Sequence, residues 1–127
     1  MKFKTDRIQK EFESNQLPWK LVRIIQMIEN FCLAKYNYEI TITDILRTQE
    51  EQDAIYEYSD KYREKPWKSV HQVWRGVDLR TRDMPSEAIN EISDMVNKIQ
   101  YDPNRPEKKS CIYHNVGAGI HLHLQCM

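Results

Sequence analysis

The sequence predicts an α+β domain: a small, mostly antiparallel sheet with helices packed on one face and a cleft on the other. Helix-like and strand-like segments alternate along the chain, and the last two strand-like segments form an apparent hairpin. That hairpin joins residues 110–114 to residues 120–126 through a loop containing Gly117 and Gly119. The chain has 127 residues, 40% of them hydrophobic and 30% charged, which predicts one domain over residues 1–127.

Composition excludes several broad classes of function. Nineteen basic and 19 acidic residues give a formal net charge of zero, so we expect no nucleic-acid partner. No apolar run approaches the roughly 20 residues that span a bilayer, and no apolar region follows the basic N-terminus. We therefore expect no membrane partner and synthesis in the cytoplasm. The three cysteines form no Cys-x-x-Cys pair, which predicts buried free thiols.

The first third of the chain predicts one helix and one strand. Residues 1–16 are mixed and polar, and we expect them to form a peripheral helical or irregular segment. From Pro18 onward, apolar residues recur at helical spacing and predict a helix; they are Leu21, Ile24, Ile25, Ile28 and Phe31. Residues 36–42 alternate apolar and polar side chains, which predicts a strand.

The middle of the chain predicts a second helix followed by a loop. Thr48 and Glu51 have the spacing of a capping box, so a helix is expected from there through Tyr58. Residues 61–68 are basic and contain Pro66 and Trp67, which indicates a loop that serves either as solvated surface or as a substrate-steering rim.

Three further elements are expected before the hairpin. Residues 77–79 predict a central strand, and Asp83 and Pro85 begin a third helix. Apolar residues on one face of that helix are Ile89, Ile92, Val96 and Ile99. Residues 102–106 predict a turn.

Two short patches contain residues suited to binding a metal. His71 and Asp78 lie seven positions apart, and neutral imidazole and carboxylate are both good zinc ligands. Seven is an odd step, so a straight strand would separate the two side chains, and we expect a bend over residues 74–76. His121 and His123 lie two apart and point the same way on a strand.

Together these patches predict a zinc hydrolase. His71, Asp78 and one histidine of the C-terminal pair would provide three ligands, which leaves an open position for water. The other histidine would act as a general base or as a hydrogen-bond donor to the transition state. Arg47 precedes the capped helix and is a candidate cation for a developing oxyanion.

At these residues the sequence resembles the D-alanyl-D-alanine carboxypeptidase-type zinc metallopeptidases, over residues 38–126. Ser-Val-His-Gln-Val-Trp-Arg-Gly-Val-Asp78 is similar to the family's Ser-x-His-x(6)-Asp motif, although Trp74 and Gly76 stand where the family usually has Gly and Ala. Ile-Thr-Asp-Ile-Leu-Arg-Thr-Gln-Glu-Glu-Gln52 resembles its arginine motif, and His-Leu-His123 resembles the His-x-His of the superfamily that also includes lysostaphin-type peptidases and the hedgehog domain.

The resemblance implies a fold, a cofactor and a role for each site residue. It implies a hedgehog-like or DD-peptidase-like fold with one Zn²⁺ per chain, held by His71, Asp78 and His123. It implies that His121 assists catalysis and that Arg47 polarises the substrate. Thr48 and Gln52 would occupy the supporting positions.

The sequence makes less specific predictions for the remaining polar and aromatic residues near these motifs. Ser69 is expected to shape the ligand loop by hydrogen bonding, and Trp74 to form a wall of the cleft. His114 is either a partner of the site or an ordinary hairpin residue. Packing rather than recognition is expected for Trp19, Trp67 and Tyr113.

The resemblance implies a peptidase acting on cell-wall peptidoglycan stem peptides. The chain's size and the missing signal indicate a phage- or prophage-like protein that reaches the wall after release or lysis, and we expect a monomer. The bond cleaved would be that of a D-Ala-D-Ala carboxypeptidase or of an L-Ala-D-Glu endopeptidase. Two alternatives remain open: a non-catalytic zinc-binding module of the same fold, and a peptidase for intracellular peptides.

Overall fold

A computed structural model describes residues 1–115 and 119–126 and confirms the α+β class. The described strands are β1 (Lys2–Phe3), β2 (Thr41–Asp44), β3 (Gly76–Arg80), β4 (Cys111–Asn115) and β5 (Ile120–Gln125). The described helices are α1 (Asp6–Glu13), α2 (Trp19–Tyr36), α3 (Gln49–Ile55), α4 (Asp60–Glu64) and α5 (Ser86–Asn97), with a 3-10 turn at Val70–Val73. Of the two glycines in the predicted loop, Gly117 lies outside the described residues, whereas Gly119 is described.

The strands form a mixed sheet in the order β1-β2-β3-β5-β4. Strand β1 pairs with β2 in parallel, and the β2–β3, β3–β5 and β4–β5 pairs are antiparallel, so the sheet is mostly antiparallel. The predicted hairpin is the β4–β5 pair. Residues 1–16 contribute the edge strand β1 as well as a helix, and Ile8 of α1 joins the hydrophobic core.

Helix α2 follows its predicted stripe but is longer than expected. It begins directly after Pro18 and continues to Tyr36, where Asn37 ends it with a positive φ of 49°. The predicted strand over residues 36–42 is therefore wrong at its start, because Tyr36 is helical and β2 covers Thr41–Asp44. The apolar alternation that suggested the strand extends into the segment that leads to it.

The hydrophobic core lies between the sheet and the two longest helices. Helix α5 begins after Pro85, as expected, and contacts both α2 and β4. Side chains from these helices and from one face of the central strands are buried together; they include Leu21, Ile25, Ile28, Ile92, Val96, Val77, Leu79, Leu122 and Leu124. All three cysteines are buried and free, as predicted.

The predicted loop over residues 61–68 is wrong in its first part, because residues 60–64 form α4. Ser59 caps this helix by accepting a hydrogen bond from the backbone N–H of Tyr62. The Tyr62 ring is buried and stacks on Tyr56 with ring centroids 4.9 Å apart, while Trp67 packs edge-on at 4.6 Å. These aromatic contacts stabilise a helix that is too short to be stable by itself.

Helical segments are not confined to one face of the sheet. Helices α2 and α5 cover the core face, whereas residues of the 3-10 turn and of the segments before it lie on the side of the histidines. Within the described residues, no helix is long and apolar enough to cross a membrane.

Candidate metal centre

Strands β3 and β5 place the predicted ligands on one face of the sheet. Asp78 pairs with His123, whereas the neighbouring pairs Val77–Leu124 and Leu79–Leu122 face the core. Because side chains alternate along a strand, His121 and His123 lie on the face of Asp78, as their spacing predicts. Both histidines and Asp78 are buried.

His71 reaches the same place from the 3-10 turn that precedes β3. The Ser69 hydroxyl caps this turn and accepts the backbone N–H of His71 at 3.2 Å. Trp74 ends the turn with a φ of 62°, which makes the bend expected between His71 and Asp78. Gly76 then passes so close that a Cβ there would lie 2.6 Å from Val70 and 3.1 Å from the His123 ring.

Hydrogen bonds set the orientation of the His71 ring. Its Nδ1 lies 2.9 Å from the backbone carbonyl of Ile45, which can only accept, so Nδ1 carries the proton. The other nitrogen, Nε2, lies 3.1 Å from Asp78 Oδ1. In the neutral ring this nitrogen has a lone pair directed at a carboxylate oxygen, and such a contact needs a positive charge between the two atoms.

His123 is held by the same kind of arrangement. Gln125 Nε2 donates to the carbonyl of Lys109 at 2.7 Å, which turns the amide oxygen toward His123. That oxygen lies 3.1 Å from His123 Nε2 and accepts its proton, so the lone pair resides on Nδ1. Nδ1 lies 2.9 Å from Asp78 Oδ1. Two imidazole nitrogens therefore converge on one carboxylate oxygen.

This trio of side chains is positioned to bind a metal ion. The ligand atoms of His71, Asp78 and His123 all lie within 4.8 Å of one another. Distal N–H groups held by fixed acceptors are typical of metal-binding histidines, and a set of two nitrogens and one oxygen suits a borderline divalent ion.

The electrostatics favour a charged centre in spite of burial. Burial opposes ionisation of Asp78, but His71 and His123 outweigh it and lower the pKa of Asp78 far below its usual range. Burial also opposes protonation of His71, yet the neighbouring carboxylate raises the pKa of His71. Asp78 is therefore an anion held among nitrogens, which is the state in which carboxylates bind metals.

His121 lies at the other oxygen of the same carboxylate. Its Nδ1 donates to the Gly119 carbonyl at 3.0 Å, and its Nε2 lies 3.4 Å from Asp78 Oδ2. The neutral ring therefore directs an unprotonated nitrogen into the site. A group with this orientation can accept a proton from a molecule bound beside the trio.

The guanidinium of Arg47 is buried beside Asp78. Its nitrogens lie 2.8 Å from Asp44 Oδ2, 2.8 Å from Gln52 Oε1 and 3.9 Å from Asp78 Oδ2. The Nε atom of Arg47 is buried and has no hydrogen-bond partner among the described residues. Gln52 is fully buried and supports the arginine directly.

His114 has a closer relation to the site than the sequence indicates. It pairs with His121 across β4 and β5, and its ring centroid lies 5.0 Å from that of His121 and 5.5 Å from that of His123. These three histidines form a second set of ligand atoms within 4.8 Å. Burial and the neighbouring histidines lower the pKa of His114, which favours its neutral, ligand-competent form.

The remaining predicted residues occupy different surroundings. Thr48 is exposed and acts as the N-cap of α3, outside the cleft. Trp74 packs against the hydrophobic core instead of forming a wall of the cleft. Trp67 and Tyr56 do line the cleft, which has a volume of about 190 Å³ beside the trio.

Sequence reasoning did not assign a role to Gln125. Its position two residues after His123 on a predicted strand could have placed it on the histidine face. The acceptor for His71 could not be found in this way, because it is the backbone carbonyl of Ile45 and depends on no particular side chain.

Comparison with known proteins finds no match: no family model, curated protein or solved structure is similar enough to this chain to identify a relative. What the site can do therefore follows from the geometry described above.

Proposed function

We propose that the chain is a zinc-dependent peptidase that hydrolyses peptide bonds in bacterial cell-wall stem peptides. The observation that carries the proposal is the convergence of His71 Nε2 and His123 Nδ1 on Asp78 Oδ1, at 3.1 and 2.9 Å. His71, Asp78 and His123 would hold the ion as a catalytic set of three protein ligands with an open position. Zinc, when bound, supplies Lewis acidity and a water nucleophile near neutral pH.

The chain's own residues would provide proton transfer and charge stabilisation. His121 accepts a proton at Nε2, because its Nδ1–H is held by the Gly119 carbonyl. Arg47 lies 3.9 Å from Asp78 Oδ2, the oxygen that His121 also approaches, and stabilises negative charge that develops on the substrate carbonyl. The aromatic wall of Tyr56 and Trp67 would exclude water from one side of the bound peptide.

Hydrolysis of isolated cell-wall material tests the proposal. Zinc-loaded protein is incubated with purified peptidoglycan, and the new amino and carboxyl termini are identified by mass spectrometry. We expect one type of bond to be cut by the wild type, no cleavage by chelated protein, and cleavage slowed by about 10²–10⁴-fold in zinc-loaded His121→Ala. A zinc-loaded wild type that leaves both the polymer and its free stem peptides intact would contradict the proposal.

The surroundings of Arg47 favour a second candidate, a non-catalytic zinc-binding module. Its guanidinium makes its close contacts with Asp44 and Gln52 of the same chain, as expected of a residue that stabilises the fold. Zinc-dependent stability without hydrolysis of any stem peptide would support this candidate over the peptidase.

A further inference from the structure

A second, larger groove adjoins the metal centre on the side of His121. It has a volume of about 830 Å³, and Arg47, Asp78 and His121 line both this groove and the smaller cleft. The groove and the cleft of the metal centre are therefore neighbours that share part of their lining. The groove has five cationic side chains on its walls: Lys4, Arg7, Arg47, Arg80 and Arg82.

The acidic side chains of the groove are already paired. Asp44 contacts Arg47 at 2.8 Å, and Glu51 caps α3 and contacts Arg7 at 3.3 Å. Asp78 is held by His71 and His123. These contacts neutralise Arg47 and Arg7 together with the acids, and they leave the other three cations to set the charge of the groove.

Those three cations have no close partner among the described residues. In the part of the chain that the structure describes, Lys4, Arg80 and Arg82 have no side-chain hydrogen bond and no ion pair. Asp83 follows Arg82 along the chain, and its carboxylate accepts a hydrogen bond from Tyr38 at 2.8 Å, which is the main reason that the pKa of Asp83 is lowered. Arg80 and Arg82 lie near enough for their charges to lower the pKa of Asp83 further, although neither forms an ion pair with it.

The strand register fixes Arg80 beside the catalytic face. Arg80 pairs with His121 across β3 and β5, and it lies two residues after Asp78, so both relations place it on the same side of the sheet. Arg82 follows in the exposed turn two residues beyond the end of the strand. A ligand extending from the metal centre toward this end meets Arg80 first and Arg82 next.

We propose that this groove is an anionic subsite, in which Arg80 and Arg82 bind a carboxylate of the peptide substrate. The inference rests on the proposed peptidase function and gives it a substrate class, namely peptides with a carboxylate next to the bond at the metal centre. Arginine suits this role because its planar guanidinium donates two parallel hydrogen bonds to a carboxylate. The carboxylate belongs either to an acidic side chain or to the chain terminus.

Binding of three uncleavable probes to the zinc-loaded wild type tests the subsite. The probes are ketomethylene analogues of N-acetyl-L-Ala-D-Gln amide, with no carboxylate, of N-acetyl-L-Ala-D-Glu amide, with one on the side chain, and of N-acetyl-L-Ala-D-Gln acid, with one at the terminus. Calorimetry should show at least one acidic probe binding roughly tenfold or more tightly than the neutral probe, as expected for a charge-assisted hydrogen bond. The acidic probe with the larger gain identifies the source of the carboxylate.

Variants then identify the residues responsible for the preference for acidic probes. Arg80→Gln and Arg82→Gln should each weaken binding of the preferred acidic probe, and the double variant should bind all three probes equally. Arg80→Lys should retain part of the preference through its charge. Lys108→Gln, which removes a cation that lines the cleft but not the groove, should keep the preference. Because Arg82 is exposed, its variant should melt like the wild type.

Three results would overturn the subsite: equal binding of all probes by the wild type, a preference that survives in the double variant, or a preference lost only in Lys108→Gln. The subsite and the peptidase function fail separately. Cleavage of stem peptides without any carboxylate preference refutes the subsite alone, whereas preferential binding without cleavage refutes the peptidase alone.

Discussion

The two faces of strands β3 and β5 are built from alternate residues of the same segments and differ in what they bury. One face buries apolar side chains such as Leu79 and Leu122 against α2 and α5. The other buries a carboxylate and two histidines, Asp78, His121 and His123. Burial of the first face stabilises the folded state, because apolar side chains are removed from water. Burial of the second face is tolerated only where each polar atom has a partner.

This difference indicates which face carries function. A buried anion is retained only where nearby groups compensate the cost of removing it from water, and here those groups are imidazoles aimed at it by fixed acceptors. Apolar side chains at the same positions would stabilise the sheet without the cost of burying a charge. We therefore expect changes on the core face to alter stability, and changes on the histidine face to alter metal binding and turnover.

The largest effect is expected for His121→Ala. Peptide hydrolysis should fall by about 10²–10⁴-fold, because the variant loses a proton-transfer group. The bound metal should remain, since the trio of His71, Asp78 and His123 is intact. Turnover and zinc content measured on the same sample check this. Loss of zinc from His121→Ala would mean that this histidine is a ligand.

On the core face, Leu79→Ala should lower the free energy of unfolding by about 2–5 kcal/mol, because it leaves a cavity in a fully buried position. Urea denaturation measures the change. Leu33→Ala is the matched control, since Leu33 is 45% exposed on α2 and its truncation should cost much less. Zinc stoichiometry should be unchanged in the folded Leu79 variant. A Leu79 variant that melts normally but loses its metal would show that the core face also controls metal binding.

For Arg47→Ala we expect turnover to fall by about 10²–10³-fold, comparable to removing one donor from an oxyanion site. Metal content should stay the same, and Arg47→Lys should restore little, because an ammonium cannot reproduce the planar guanidinium. Turnover and thermal unfolding are measured in parallel. If the variant turns over normally once folded and loses stability instead, Arg47 belongs to the fold, as its contacts with Asp44 and Gln52 would also allow.

The smallest effect on the histidine face is expected for Gln125→Leu. This change removes the oxygen that accepts the proton of His123 Nε2, and metal affinity should fall about 10–100-fold. Gln125→Glu keeps an acceptor at the same position and should retain most of the affinity. Competition with a chelator of known affinity measures both variants. Equal affinity in Gln125→Leu and the wild type would show that the amide does not orient the ligand.

Much of the fold could be predicted because its signals are local. The apolar stripe of α2, the capping box at Thr48 and the terminal hairpin depend on spacing within one segment. Strand β1 could not be predicted, because its two residues are too few to show an alternation of apolar and polar side chains. Helix α4 has five residues and depends on Tyr62 packing against Tyr56 and Trp67, which are contacts between segments.

The same distinction applies to the site. His71, Asp78 and the His121–His123 pair could be identified by residue type and spacing, and the structure brings them together. The relation of His114 to His121 depends on the register in which β4 pairs with β5, and the hairpin pattern alone does not fix that register. The charge of the adjoining groove depends on which acids are already paired, and only the folded structure supplies that information.

The central claim is that the histidine face holds one metal ion between His71, Asp78 and His123, and the metal content of four proteins tests it most directly. Wild type, His71→Ala, His123→Ala and His114→Ala are dialysed against zinc, and bound metal per chain is measured by elemental analysis. We expect one zinc in the wild type and in His114→Ala, and none in the other two. Full zinc content in both His71→Ala and His123→Ala, or its loss only in His114→Ala, would contradict the claim.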